Sequence, residues 1–423
     1  KKISKVTLIE FLHPKIWASL SFSSSYVIRN LGTLIYDLLS EKSFDQVVPI
    51  TVPSDTKGFE VLLLEQNYEN RMLRYKTTIR EMFSKKKSLV LFFPTITDLE
   101  HAKDNLSRGI DDYVVPLHSG LSDKQYAESL KQLSSTEHSI LILSTPSLLP
   151  WVRNDLGLVV IEREHSHYYY THGDNGYDMR VVLESLTRAS AIPCLLGSHM
   201  LSLRAHKLFN TKDANEIMPL QFRNDTNITV VPMTDENKTA SPYLSKQTLT
   251  ILYNIKQSKS GHFFLYAHRK GMYPTTICSD CGELFTCKNC ERPYVLHKIA
   301  GVRTYVCHGC EGIVQLNEDS TLSCRYCGGW RMTTLGIATT GIEEELTPSK
   351  AKVKKVYREW QESAYGVLIG TEMAHNVLTS CDGVIVLSLD SLFSLPEYRK
   401  KKKILSLITE MAEKVKQRRD DTP

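Results

Sequence analysis

The sequence predicts an α/β protein with two parallel-sheet lobes in tandem, the second of which carries a cysteine-rich, zinc-binding insertion. Three observations favour this fold class. Short apolar runs alternate with helical stretches, a second set of such runs begins near residue 228, and a cluster of cysteines interrupts that second set. Continuous apolar strands separated by helices are typical of a parallel sheet that helices cover on both faces.

The first set of apolar runs is expected to form the strands of the first lobe. Helical stretches separate the runs, which cover residues 61–64, 88–93, 113–116, 139–144, 158–161 and 193–198. Residues 1–45 precede them and carry apolar residues at helical spacing. Because ligands of such sheets bind at the carboxyl ends of the strands, we expect functional side chains just after these runs.

The second set of apolar runs is expected to form the second lobe. It covers residues 228–231, 262–266, 366–370 and 384–387, and the cysteines lie between the second and third of these runs. The predicted domains follow from this order. They are a helical region with a linker (1–55), the first lobe (56–215), the two parts of the second lobe (216–275 and 334–423, with a basic tail) and the insertion (276–333).

The composition is that of an ordinary globular protein. Of the 423 residues, 42% are hydrophobic and 23% are charged, and the net charge of +5 permits nucleic-acid binding without arguing for it. Basic runs at 85–87, 269–270 and 399–403 are, as a class, more often solvated surface than phosphate contacts. The sequence lacks the run of about eighteen apolar residues that a membrane helix needs, so we expect no membrane partner and a cytoplasmic location.

Four C-x-x-C pairs contain eight of the ten cysteines. The pairs are Cys278/Cys281, Cys287/Cys290, Cys307/Cys310 and Cys324/Cys327. Two residues between the cysteines let a tight turn direct both sulfurs at one ion, so each pair can supply half of a tetrahedral zinc site. Four pairs therefore predict two Zn²⁺ ions, each in a closed four-sulfur site that stabilises the insertion and leaves no position for a catalytic water.

Disulfides and an iron–sulfur cluster are the alternatives to zinc. Disulfides are disfavoured because no signal peptide is recognised and thiols stay reduced in the cytosol, and clusters usually use less regular cysteine pairs. His297 and His308 lie inside the insertion, beside sites that the sulfurs already fill. Cys194 and Cys381 stand alone in apolar stretches and are expected to be small core residues.

Several segments also match a known family in order. Residues 117–122 read Leu-His-Ser-Gly-Leu-Ser, residues 266–272 read Tyr-Ala-His-Arg-Lys-Gly-Met before the cysteines, and a triple glutamate at 343–345 follows them. In these segments and in its cysteine order the chain resembles the primosomal protein N-prime (PriA) family of replication-restart DNA helicases, in superfamily 2. The resemblance runs from about residue 60 to about residue 400, and the chain is identified as a divergent and degenerate member. The resemblance implies that the two tandem parallel-sheet lobes are RecA-like.

The resemblance implies which cysteines share an ion and which residues contact DNA. In the family the outer pairs hold one zinc and the inner pairs the other, which groups Cys278, Cys281, Cys324 and Cys327, and separately Cys287, Cys290, Cys307 and Cys310. Residues in the matching DNA-contact segments are His118, Ser119, Thr145, Arg269 and Lys270. The implied partners are forked or single-stranded DNA, replication-restart proteins and single-strand-binding protein. Residues 1–55 resemble the helical end of the family's amino-terminal DNA-binding region, whose β-rich part we do not expect here.

The same resemblance places a nucleotide site in the chain, and several of its parts are missing. The phosphate loop would fall at 65–72, where no glycine occurs and Arg71 is the candidate to replace the lysine. The acidic motif reads Glu162-Arg163-Glu164-His165, so an arginine stands where the catalytic carboxylate is required. Candidate nucleotide contacts are Glu162, Glu164, His165, Gly370 and Thr371, and the family's arginine-finger motif is not found before Pro423.

Three functions are compatible with this pattern. The first is a PriA-like DNA-binding protein with two structural zincs that has lost ATPase and helicase activity. The second is an active ATP-dependent 3′-to-5′ helicase with a divergent ATP/Mg²⁺ site, and the third is a protein-interaction scaffold without DNA binding. The sequence favours the first because a phosphate loop, a base and an arginine finger are all required for turnover.

Overall fold

The computed structural model describes residues 11–39, 49–53, 58–135, 137–171, 176–220, 226–237, 239, 241, 243–258, 262–267, 273–299, 301–308, 310–315, 322–346, 353–355, 366–371, 381–387, 389 and 400–420. The chain divides into two compact units, Lys1–Arg223 and Asn224–Pro423. We call them the amino-terminal and carboxy-terminal units and describe each by itself. The domain limits drawn from the sequence remain predictions.

In the described part of the amino-terminal unit, seven parallel strands form one sheet in the order β3-β4-β2-β5-β6-β1-β7. The strands are β1 (Val61–Glu65), β2 (Ser88–Phe92), β3 (Val114–Leu117), β4 (Leu141–Ser144), β5 (Leu156–Glu162), β6 (Cys194–Ser198) and β7 (Asn215–Glu216). The helices are α1 (Pro14–Tyr26), α2 (Leu31–Leu38), α3 (Tyr68–Ser84), α4 (Ile96–Leu106), α5 (Asp123–Ser134), α6 (Met179–Ala189) and α7 (Leu203–Asn210), with single 3₁₀ turns at Asp111–Tyr113, Leu149–Val152 and His167–Tyr169.

Apolar residues cover both faces of this sheet, as the unbroken apolar runs predict. Along β2, Val90 and Phe92 join one buried cluster, whereas Leu89 and Leu91 join the cluster on the opposite face. Successive side chains of a strand point to opposite faces, so a strand buried on both sides must be apolar throughout. Parallel pairing also brings the carboxyl ends of all these strands to one edge of the sheet, where the candidate residues lie.

Side-chain caps begin the helices that follow the strands. Asn67 accepts a hydrogen bond from the Asn70 N–H at the start of α3, and Thr95 does the same for Asp98 at the start of α4. Ser122 and Gln125 form a reciprocal capping box at α5. Such caps satisfy amide groups that would otherwise lack a partner in the first helical turn.

The carboxy-terminal unit contains a smaller parallel sheet in the order β14-β15-β8-β16 and, in the insertion, two antiparallel sheets, β10-β11-β12 and β13-β9. The strands are β8 (His262–Tyr266), β9 (Thr275–Cys278), β10 (Val295–Ile299), β11 (Val302–Val306), β12 (Ile313–Gln315), β13 (Met332–Leu335), β14 (Val353–Lys355), β15 (Gly366–Gly370) and β16 (Gly383–Val386). The helices are α8 (Lys246–Ser258), α9 (Thr339–Leu346) and α10 (Lys400–Asp420).

The predicted α/β class with parallel sheets and a cysteine-rich insertion is confirmed. One expected strand is wrong: residues 228–231 form no strand, and Ile228 and Val230 are 57% and 83% exposed. An apolar run becomes a strand only when a neighbouring strand pairs with it, and this run has none among the described residues. Within the described ranges, no helix combines the length and apolar character needed to cross a bilayer.

Candidate functional site

The edge of the amino-terminal sheet where β1, β5 and β6 end is lined by buried acidic residues. The register places Glu65 beside Ser198 and Glu162 beside Gly197, so three strand ends meet there. Glu65 is 4% exposed, and Glu162 and Glu164 are each 1% exposed. A buried carboxylate is stable only if it is paired or hydrogen-bonded, so the partners of these three groups decide what the edge can bind.

Glu162 is paired by an arginine from α3. The Arg71 guanidinium donates from Nε to both carboxylate oxygens at 3.1 Å and from Nη2 to Oε1 at 2.6 Å. Tyr75 Oη donates to Oε2 at 2.6 Å, and burial together with the Glu162 charge raises the pKa of Tyr75 well above its usual value. This carboxylate, a candidate nucleotide contact, therefore already has a fork-shaped, charge-assisted partner.

The connection between β1 and α3 is short and has a regular backbone. Only Gln66 and Asn67 separate the two elements. The Gln66 N–H donates to the Ser198 carbonyl at 3.0 Å, and its carbonyl accepts from Arg71 Nη1 at 2.6 Å. No residue from 65 to 72 has a positive φ, which a nest of phosphate-binding amides requires. The helix start, which would attract an anion, is capped by the Asn67 side chain instead.

Arg163, which lies between Glu162 and Glu164, is held by an ion pair. Its Nη1 donates to Asp98 Oδ1 at 2.6 Å, and Thr95 Oγ1 donates to the other oxygen of Asp98 at 2.6 Å. The backbone of Arg163 has φ +52°, an uncommon conformation for a residue with a side chain. A guanidinium cannot accept a proton at neutral pH, so this position cannot act as a general base.

Glu164 and His165, the two other candidates of the acidic motif, are also hydrogen-bonded within the unit. Glu164 accepts from the Ser202 N–H at 2.9 Å and from its hydroxyl at 2.6 Å, and Arg180 Nη1 lies 3.9 Å from its carboxylate. His165 Nδ1 lies 2.6 Å from Ser198 Oγ. The structure thus brings Glu162, Glu164 and His165 to one place and directs each at a protein group. Their role as nucleotide contacts stays a prediction.

Sequence reasoning missed the residues that fill this edge. Tyr75 follows Arg71 by four positions on α3, which puts both on one face of the helix and was the available signal. The ring comes so close to the sheet that a Cβ on Gly197 would lie 1.8 Å from Tyr75 Oη. Glycine is therefore required at position 197 for the ring to reach Glu162. No sequence signal pointed to Ser202, whose partner is 38 residues away in the chain.

The other candidate nucleotide contacts lie in the carboxy-terminal unit. Gly370 is the last residue of β15, and its carbonyl accepts from the Ala267 N–H at 2.9 Å. Thr371 follows it and is half-buried. Both therefore lie at the carboxyl end of a parallel strand, which is where ligands of such sheets bind.

The candidate DNA contacts of the amino-terminal unit lie together at a different part of the same sheet edge. The strands β3 and β4 pair there, and the Thr145 N–H donates to the Leu117 carbonyl at 3.2 Å. His118 is buried and its Nε2 lies 3.0 Å from Glu100 Oε1, whereas Ser119 is exposed and Thr145 is half-buried. Ser119 and Thr145 are thus the accessible members, while Arg269 and Lys270 lie outside the described residues.

The eight cysteines of the insertion lie in two clusters of four. One contains Cys278, Cys281, Cys324 and Cys327, and the other contains Cys287, Cys290, Cys307 and Cys310; within each cluster the sulfurs lie within 4.8 Å of one another. Sulfurs of different pairs approach to 3.3–3.6 Å. This grouping is the one that the family resemblance implies. A disulfide would need about 2.05 Å, whereas four thiolates around one zinc lie about 3.8 Å apart, so the spacing suits an ion.

All four cysteine pairs use the same backbone turn. The N–H of the first cysteine donates to the carbonyl five residues on, at 2.8 Å for Cys278, Cys287 and Cys307 and at 2.7 Å for Cys324. The residue after each second cysteine has a positive φ: Gly282, Glu291, Glu311 and Gly328. The turn directs amides at the sulfurs: the Asn289 N–H lowers the pKa of Cys287 to about 6, and the Cys327 N–H lowers that of Cys324 to about 7. Such amides favour thiolate, the form that binds metal.

Known proteins similar to this chain are replication restart proteins. It is 24% identical over 377 residues to "Replication restart protein PriA" of Haemophilus influenzae, covering 84% of this chain and 50% of that protein. It is 24% identical to the protein of that name from Thermotoga maritima (78% of this chain, 46% of that one) and 23% identical to that of Helicobacter pylori (92% and 66%). The chain spans about half the length of the first of these relatives.

No protein-family model matches the chain. A solved structure titled "XPD_Helicase" aligns with a TM-score of 0.25 and 16% identity, covering 38% of this chain and 35% of that one.

Proposed function

We propose a function from the premise that this chain is a distant homologue of the replication restart protein PriA over most of its length. In this proposal it is a cytoplasmic DNA-binding protein of replication restart without ATPase activity. In this proposal the two parallel sheets are RecA-like lobes that serve as a scaffold. The insertion holds two structural Zn²⁺ ions, and forked or single-stranded DNA is the ligand, with other replication-restart proteins or single-strand-binding protein as further partners.

The ion pair between Arg71 and Glu162 is the observation that carries the loss of ATPase activity. The side chains are 3% and 2% exposed, so solvent screens the pair little. A nucleotide with magnesium would have to displace Arg71 from the carboxylate while leaving a buried charge behind, which costs several kcal/mol. The short β1–α3 connection offers no amide cradle in return. Arg163 supplies no base, so bound ATP would still not be hydrolysed at a useful rate.

The two four-cysteine clusters support structural zinc. The four sulfurs of each cluster lie within 4.8 Å of one another, so each cluster offers the four protein ligands that a closed zinc site needs without water. The small sheets of the insertion bury few apolar side chains, among them Tyr294, Leu296 and Tyr305. An ion in each cluster would supply binding free energy that this core lacks. Each ion would hold two of the four cysteine turns together.

Nucleotide binding tests the loss of activity. Titration calorimetry of the full chain with ATP and Mg²⁺ is expected to give no binding heat, because Arg71 occupies Glu162. The Arg163→Glu variant, which restores a carboxylate, is expected to remain without turnover on forked DNA because the phosphate cradle is missing as well. Hydrolysis by that single variant would contradict the proposal and favour an active helicase with a divergent site.

DNA binding separates the proposal from a pure protein-interaction scaffold. Fluorescence anisotropy with a labelled fork and a labelled single strand is expected to show binding at low salt. As the salt concentration rises, log Kd is expected to increase linearly with the logarithm of that concentration, because phosphate contacts release counterions. The sequence of the strand is expected to matter little. Absence of binding to both DNAs at the lowest salt would reject a role in DNA binding and leave the scaffold.

A further inference from the structure

The last cysteine turn of the insertion carries two large aromatic side chains at its surface. Tyr326 lies between Cys324 and Cys327 and is 82% exposed, and Trp330 lies three residues after Cys327 and is 73% exposed. Tyrosine and tryptophan usually bury most of their rings, so two exposed rings within five residues need an explanation.

The other turns do not share this feature. The position equivalent to Tyr326 is Asp280 in the first turn and Asn289 in the second. The backbone bonds common to all four turns therefore need no aromatic residue. The turn itself thus does not require the two rings of the last turn, so their exposure is better explained by contact with a binding partner.

The backbone that carries the rings is held firmly. The Cys324 N–H donates to the Gly329 carbonyl at 2.7 Å, and the Gly328 N–H donates to the Cys324 carbonyl at 2.9 Å. Gly328 has φ +72°, and apart from its chain neighbours no described atom lies within 4 Å of the place a Cβ would take, so the turn is open at this residue. Rings on a fixed backbone lose little conformational entropy when they bind, which favours them as contact residues.

The charge of the turn indicates what the rings contact. Arg325 is exposed and forms no ion pair with any residue in the described ranges, whereas Arg331 pairs with Asp280 at the base of the turn. One free cation beside two π surfaces matches a nucleotide strand whose bases are unpaired, since the bases offer faces for stacking and the backbone offers phosphate. A duplex would hide the base faces and leave only phosphates, for which the turn has a single unpaired cation.

We infer that Tyr326 and Trp330 stack on unpaired bases of single-stranded DNA while Arg325 contacts a phosphate. This inference rests on the proposed function and deepens it by naming the surface and the chemical group recognised, which is the base face. Because every base has such a face, the contact is independent of sequence. Because stacking involves no ion exchange, it is also independent of salt, unlike the phosphate contacts.

The test compares two strands of equal length, oligo(dT) and an abasic strand with the same phosphates, by anisotropy with the full chain. Tyr326→Ala and Trp330→Ala are each expected to weaken binding of oligo(dT) about tenfold, with no change in the salt slope and no change for the abasic strand. Arg325→Ala is expected to reduce the slope by about 0.7 for both strands. Tyr253→Ala, which removes a 60% exposed ring on α8 of the same unit, is the matched control and is expected to match the parent.

Two further results keep the outcomes distinct. Zinc content equal to that of the parent shows that the turn is intact in each variant, and Trp330→Phe, which keeps a ring, is expected to bind within about threefold of the parent. If the parent binds oligo(dT) and the alanine variants bind it equally well, the stacking inference is overturned and the proposed function stands. If the parent binds neither strand, the stacking inference is overturned, and binding of the labelled fork then decides whether the proposed function stands.

Discussion

The double variant Cys287→Ser/Cys307→Ser is expected to keep one zinc ion per chain, whereas Cys278→Ser/Cys287→Ser is expected to keep none. Each pair of substitutions removes two sulfurs, so the difference comes only from their grouping. The first two cysteines belong to one cluster, and the second two belong to different clusters. A site with one sulfur removed loses most of its affinity for zinc, because the apparent binding free energy of a closed zinc site, about 10–16 kcal/mol, depends on a complete set of ligands.

Zinc content by mass spectrometry, with circular dichroism of the same samples, measures this result. The single variant Cys287→Ser is expected to lose about one ion and the structure of the β10–β11–β12 sheet, which packs around Cys287 and Cys307. Ser323→Ala, an exposed change beside Cys324, is the matched control and is expected to keep both ions. Equal zinc loss by the two double variants would reject the grouping.

Replacement of Arg71 by methionine is expected to lower the free energy of unfolding of the amino-terminal unit by about 3–5 kcal/mol. The change leaves Glu162 buried with its charge unpaired, and only the Tyr75 hydroxyl remains as a partner. Adding Glu162→Gln to this variant is expected to recover much of the loss, since the amide carries no charge and still accepts from Tyr75. If the double variant is more stable than the sum of the two single changes predicts, Arg71 and Glu162 are energetically coupled, which independent sites are not.

Urea denaturation followed by hydrogen exchange on β1 and β5 reports on this unit separately from the other. Arg80→Met, an exposed substitution on the same helix α3, is the control and is expected to change stability by no more than about 0.5 kcal/mol. Were Arg71→Met to unfold at the same urea concentration as Arg80→Met, the ion pair would not be what closes the sheet edge, and the argument against ATP binding would lose its support.

Much of the site follows from local sequence. The C-x-x-C spacing predicts the cysteine turns because a turn of six residues is determined by its own residues, and the structure gives all four the same hydrogen bond. The missing glycines at 65–72 likewise predict a connection without an amide cradle. Apolar runs such as 88–93 predict strands because a strand that is covered on both faces of its sheet has apolar side chains at every position, without alternation.

Local sequence does not determine which distant residues a segment meets, and the strand predicted at 228–231 is wrong for this reason. Residues 228–231 have the apolar, β-branched character of a strand, but strand formation depends on a partner that the local sequence does not specify. His118 remains a predicted DNA contact, and its ring is buried against Glu100, 18 residues earlier in the chain. In both cases the environment is set by distant residues rather than by neighbours.

What the sequence determined by itself is the set of available groups: eight thiols in four C-x-x-C pairs, a segment at 65–72 without glycine, and an arginine at position 163 between two glutamates. What only the tertiary structure decided is which groups meet. Arg71 and Glu162 are 91 residues apart, and they form an ion pair because parallel pairing aligns the ends of β1, β5 and β6 at one edge. Turns are built by local bonds, whereas pairing of distant side chains depends on sheet order and register, which arise only when the whole unit packs.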